Sequence, residues 1–231
     1  MLSNQAKLFI GASVAAGGIW YLTTRKNKDK LFAEQKRGGE NVPGRAESMT
    51  ARVGESMASM TQNFAPIKQF DTHVASIRCY GNNTKRQIPV HEYIMHINED
   101  VMQAILYDSD LPTAKVVGVE YIISDKLYRQ LPEEEKKFWY NHAFEVKSGT
   151  MVAPRMPNAM EKKLMSNMGN TWGKTINLWQ VDRDRLPMGV PTFMTSPTDY
   201  NTLNNDLIAR RDAQLGIDTM KERKNRESIK F

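Results

Sequence analysis

The sequence predicts an α+β fold: a largely antiparallel sheet with flanking helices, preceded by one N-terminal transmembrane helix. Strand-like and helix-like segments mix irregularly between residues 64 and 197, without the βαβ alternation that a parallel sheet requires. Residues 115–123 (KVVGVEYII) are dense in β-branched side chains, the mark of a packed strand. Residues 8–24 carry no charge and are bounded by Lys7 and Arg25.

That uncharged run gives about 25 Å of helix at about 1.5 Å per residue, the short end of what spans a bilayer. Trp20 and Tyr21 stand at its end, where amphipathic rings favour the headgroup layer, and Arg25, Lys26, Lys28 and Lys30 come directly after. The run is rich in small residues, Gly11, Ala12, Ala15, Ala16, Gly17 and Gly18, with Gly11/Ala15 and Ala12/Ala16 at i, i+4, which suits close packing against another helix in lipid. Residues 1–26 are therefore expected to be an anchor, with the positive flank putting the rest of the chain on the cytoplasmic or matrix side. Residues 27–63 form a polar linker. Within it Met49, Val53, Met57, Met60 and Phe64 recur at steps of three and four, an amphipathic helix suited to docking on a partner.

The folded domain is expected over residues 64–197. Residues 72–80 (THVASIRCY), 91–97, 102–107 and 115–123 read as strands. Ser124 can cap a short helix, and Pro132 starts a second through His142, with three glutamates in its first turn opposing the positive helix end. Residues 143–153 and 174–181 read as further strands, with a helix over 157–168 between them. Residues 198–231 form a charged tail, helical up to Gly216.

The formal net charge is +6, carried by the two ends: residues 64–204 hold sixteen Lys/Arg and sixteen Asp/Glu. A nucleic-acid-binding domain concentrates positive charge on a folded face, so nucleic acid is not an expected partner. Cys79 is the single cysteine, which excludes an intrachain disulfide and reads as a small buried residue. There is no glycine-rich phosphate loop and no nucleophile elbow.

The stretches DVMQAILYDSDLPTAKVVGVEYIISDKLYRQLPEEEKKFWYNHAFEVKSG and WGKTINLWQVDRDRLPMGVPTFMTS resemble the oil body-associated protein family, plant, fungal and protist proteins built on a domain of unknown function. The resemblance covers about two thirds of the chain, from Phe64 to near Asp218; the N-terminal anchor is not typical of the family. It implies a histidine cluster suited to metal or acid–base work, to which His73, His91, His96 and His142 correspond. This chain carries Glu92, Arg78, Tyr140 and Asn177 where the family tends to show histidine, so the cluster is depleted here.

His91 and His96 are five apart and face opposite sides of a strand, whereas Glu92 and His96 share a face. His73, His91, Glu92, His96 and His142 are the candidate ligands, although no HExxH or CxxC accompanies them. No catalytic residue, cofactor or resident metal is expected. The expected function is a non-catalytic accessory subunit of a mitochondrial inner-membrane respiratory-chain complex, single-pass, with its domain on the matrix side. Its partners would be other subunits, the bilayer and anionic lipids. Two alternatives stay open: a lipid-droplet or organelle-surface protein, which the resemblance implies, and a metal-dependent enzyme using the core histidines.

Overall fold

The computed structural model describes Val42 and residues 49–231. The expected anchor at residues 1–26, with its small residues and its Trp20, Tyr21, Arg25 and Lys26 border, lies outside them. Among the described residues no helix is long and apolar enough to cross a membrane. Two helices, α1 (Met49–Thr61) and α2 (Ala65–Lys68), precede the domain. Met57, Met60 and Phe64 of the expected docking stripe are exposed there.

The sheet is closed. Strands β1 (Thr72–Tyr80), β2 (Asn83–His96), β3 (Val101–Tyr107) and β4 (Val116–Ser124) form an antiparallel meander. β4 then pairs with β6 (Thr171–Asn177), β6 with β7 (Thr192–Thr195), and β7 returns to β1. Six strands thus make a ring, and the expected antiparallel sheet closes into a barrel, which removes the free edges an open sheet would carry. The seam between β1 and β6 is closed at one end by the short β7. Farther along, the two-residue β5 (Tyr140–Asn141) covers the edge of β6, and Val152 bridges Ala75 of β1.

Alternation sends one set of side chains inward. Val74, Ser76, Arg78 and Tyr80 of β1 share a face with Ile88, Val90, Glu92 and Ile94 of β2, because directly opposed residues point the same way. Leu106, Ile122, Met165 and Met194 complete an apolar core around them. On the outer face Ile77 packs under Leu207 and Ile208 of helix α7 (Asn205–Leu215).

Several boundaries differ from the sequence expectation, among them the start of β2, at Asn83 and not at residue 91. Residues expected as a strand from 143 form helix α5 (Ala143–Ser148) instead: Asn141 Oδ1 accepts the Ala143 amide, and Gly149 at φ 77° ends the helix left-handed. The helix expected to run from Pro132 to His142 is short, α4 (Glu133–Lys136), because the chain joins the sheet at Tyr140. Strand β6 ends at Asn177, where the Leu178 and Trp179 amides both turn onto the Val117 carbonyl. Helix α3 (Asp125–Arg129) is capped by Ser124 as its sequence suggests, and α6 (Asn158–Met168) and the left-handed cap at Gly216 match theirs.

The charged C-terminus is anchored to the domain by a few buried side chains, while Lys221, Lys224, Glu227 and Lys230 stay exposed. Arg226, which comes after α8 (Thr219–Asn225), is fully buried and donates to the Val146 and Met151 carbonyls at 3.1 and 2.7 Å, with Glu161 as its ion partner. Arg211 donates to the Thr150 carbonyl at 2.7 Å. These two guanidiniums donate to carbonyls of α5 and of the turn after it, and so fix α5 against the barrel.

Candidate functional site

Arg78 lies in the barrel interior with three carboxylates around it. Its Nη2 is 2.7 Å from Glu92 Oε1 of β2 and 3.0 Å from Glu120 Oε2 of β4, while its Nη1 donates to Glu145 Oε1 of α5. All four side chains are fully buried. The plug formed by β5 and α5 supplies the rest: Tyr140 donates to Glu120 Oε1 at 2.7 Å and meets Thr175 Oγ1 at 2.6 Å, and His142 Nε2 lies 3.1 Å from Glu120 Oε1. His142 Nδ1 is held at 2.8 Å by Thr171 Oγ1. Ionised Glu120 requires the imidazole proton on Nε2. Gly173, inward on β6, leaves the space in which Glu120 and His142 meet; a Cβ there would collide with both.

One arginine cannot neutralise three buried carboxylates, and the number of donors each carboxylate receives orders their acidity. Burial pushes all three upward. Glu120, with Arg78, His142 and Tyr140 on it, overcomes burial and is held down to about 2. Glu92, with Arg78 and Ser76, is pushed up to about 7. Glu145, with Arg78 alone, is pushed up to about 8. Near neutrality the interior therefore holds an Arg78–Glu120 ion pair, a Glu145 carboxyl that keeps its proton and a Glu92 carboxyl divided between its two forms. Glu92 Oε2, Glu145 Oε2 and Arg78 Nε have no hydrogen-bond partner. The arrangement ties β1, β2, β4 and α5 together and stores protons.

The sequence-predicted ligands are separated. Glu92 and His142 are in the interior cluster. His73 and His91 lie on the outer face, where His73 Nε2 meets His91 Nδ1 at 3.0 Å and His73 stacks on Tyr93 at 4.7 Å. Burial, then the neighbouring His91, push His73 down to about 4, and burial lowers His91 as well. His96 ends β2, exposed. Among the described residues no three His, Cys, Asp or Glu are grouped to hold a metal ion. Cys79 is buried and its thiol pushed up to about 11 by that burial. Sequence reasoning missed Glu120 and Glu145 and took Arg78 only as a lost histidine. The signal was a single charge inside a mostly apolar run in SIRCY and in VGVEYII; AFEVKS, with both Glu145 and Lys147, offered none.

Outside the barrel, a groove of about 520 Å³ is lined by Lys137, Phe138, Trp139, Tyr140, Phe193 and Thr195, among others. Phe138 and Phe193 stack at 4.7 Å. The 178–191 loop leads into it and is fastened at its base: Asp182 accepts from Tyr80 and Arg86 at 2.6 Å each, and Trp179 Nε1 donates to the Asp184 carbonyl at 2.9 Å.

The sequence profile of the family described as "Protein of unknown function (DUF1264)" matches residues 64–230. The chain is 38% identical over 196 residues to oil body-associated protein 2A of Arabidopsis thaliana, covering 83% of this chain and 79% of that protein. It is 37% identical to oil body-associated protein 2A of Zea mays (81% and 75%) and 33% identical to oil body-associated protein 1B of Arabidopsis thaliana (86% and 83%). No solved structure matches. These relatives overturn the respiratory-chain expectation, and with it the mitochondrial inner-membrane placement: relatives matched along most of their length are named for oil bodies. The physical premise of that placement, a spanning helix with a positive flank, rests wholly on residues outside those described.

Proposed function

The chain belongs to the DUF1264 family, and we propose that it is a non-catalytic protein of the lipid-droplet surface. The observation that carries this reading is the match to oil body-associated relatives over about four fifths of both chains. The interior cluster supports the non-catalytic part, because its titratable groups are fully buried and engaged with one another. A droplet is coated by a single phospholipid layer over neutral lipid, so a segment that spans with both ends in water has no place there. The uncharged run at residues 8–24 is proposed to add lipid affinity by entering that layer from its one aqueous side.

The test is co-flotation. The purified full-length chain is mixed with triolein droplets coated in phosphatidylcholine and phosphatidylserine and spun through a sucrose gradient. Recovery with the floating droplets is the expected result. Recovery at the bottom of the gradient refutes the reading.

A further inference from the structure

We infer that the apolar tip of the 178–191 loop is the part of the folded domain that enters the phospholipid layer of a neutral-lipid droplet. This rests on the lipid-surface reading above and names the element that makes the contact. Leu186, Met188 and Val190 are 43%, 57% and 80% exposed, three large apolar side chains within five residues and every residue from 185 to 191 open to solvent. Such clustering is unlike the scattered single apolar residues of an ordinary surface.

The loop is built to hold them out. Its base is clamped to the barrel through Asp182, held by Tyr80 and Arg86, and through the Arg86–Gln180 contact at 2.6 Å. Beyond that base Pro187 and Pro191 restrict the backbone, and Gly189 takes φ 82° with nothing within 4 Å of where a Cβ would sit. The tip therefore projects on a fixed stem, and little order has to be imposed when it inserts.

Its surroundings fit an anionic headgroup layer. Three residues beyond Val190 stands Phe193, 40% exposed and stacked on Phe138. Lys174 Nζ, 5.3 Å from the Phe138 ring centroid, is paired with Glu135 at 2.5 Å. Lys137 is exposed and its Nζ is 5.1 Å from the same centroid. An exposed apolar tip with a lysine ammonium beside it suits an anionic lipid surface, the side chains entering the layer and the cation staying at the phosphates.

The experiment places an environment-sensitive fluorophore on the full-length chain at Met188→Cys and, as a control, at Met220→Cys. Met220 is equally open, at 66% exposure, but sits on α8. Cys79 is 1% exposed, so the label goes to the introduced thiol. On binding phosphatidylserine-containing triolein droplets, the Met188 probe shifts to the blue and is quenched by doxyl-labelled lipid, while the Met220 probe keeps its aqueous emission. Val190→Asp in the Met188→Cys chain returns that probe towards its aqueous emission. A chain that floats with droplets while both probes stay aqueous overturns this inference and leaves the lipid-surface reading standing. A chain that does not float overturns both.

Discussion

Glu145→Gln should change how stability depends on pH, by an amount the barrel interior sets. The Glu145 carboxyl is pushed from an ordinary 4.5 up to about 8, by burial first and then opposed only by Arg78. The folded state thus binds a proton that the unfolded chain releases between those values. The stabilisation is complete below pH 4.5 and is lost as pH rises towards 8. One group contributes at most about 1.4 kcal/mol per pH unit, hence about 4 kcal/mol between pH 5 and pH 8. Glutamine imitates the protonated carboxyl, keeps an oxygen acceptor for Arg78 Nη1 and does not titrate. Urea denaturation monitored by tryptophan fluorescence, on both proteins at pH 5, 6, 7 and 8, gives the difference. Relative to the wild type, the variant should gain stability steadily with pH, by up to about 4 kcal/mol in all. The paired difference matters because His73 and His91, whose values are lowered, oppose the carboxyls below pH 6.5: their neutral forms are favoured in the fold, so they add stability as pH rises towards 6.5. A difference that stays flat within about 0.5 kcal/mol, or that falls with pH, would refute the proton-storing cluster.

Arg78→Met removes the one cation from three buried carboxylates; a loss of about 3–5 kcal/mol is expected at pH 7.5, and a smaller one at pH 5, in the same denaturation assay. Gly173→Ala and Gly169→Ala form a contrasting pair. The first forces a methyl group between Glu120 and His142 and should cost about 1–3 kcal/mol, whereas the second meets only the ring of Phe231, which is 47% exposed and free to swing away; their melting temperatures should separate clearly. Replacing the whole cluster with apolar residues (R78M/E92L/E120L/E145L) should leave thermal stability unchanged or higher but broaden the amide NMR spectrum, and a sharp, native-like spectrum would show that the charges are not needed for a unique fold.

Local signals carried some elements and not others. The strand at 72–80 was legible because Thr72, Val74, Ile77 and Tyr80 favour extended backbone and a turn follows them, and α3 because Ser124 caps it. Barrel closure was not legible. It depends on β4 meeting β6, about fifty residues later, and on the four-residue β7, too short to show any periodicity. Helix α5 was misread because AFEVKS has no period within six residues, and its identity comes from the Asn141 contact and from Gly149. The site divided in the same way. Glu92 and His142 could be named from sequence, but Arg78, Glu120 and Glu145 lie on three elements that only ring closure and the α5 plug bring together. The histidines drew attention by residue type, yet alternation on β1 and β2 sends His73 and His91 to the face opposite Arg78 and Glu92.

The placement of that charge bears on what kind of domain this is. A buried guanidinium with carboxylates around it is a poor source of net stability, since desolvation offsets most of its Coulomb energy. It is a strong source of register. A one-residue slip of β1 against β2 would carry Arg78 to the outer face and leave Glu92 without its cation, an error of several kcal/mol. The same slip in an all-apolar ring would exchange one aliphatic contact for another. β7 cannot supply that specificity, because it meets β1 only at Cys79–Thr195 and Tyr80–Met194. The ring is therefore aligned from inside, through one cation reaching β2, β4 and α5 at once. A barrel fixed in this way can leave its outer loops unencumbered, and the 178–191 loop, clamped at Asp182 and open at its tip, is where the chain uses that freedom.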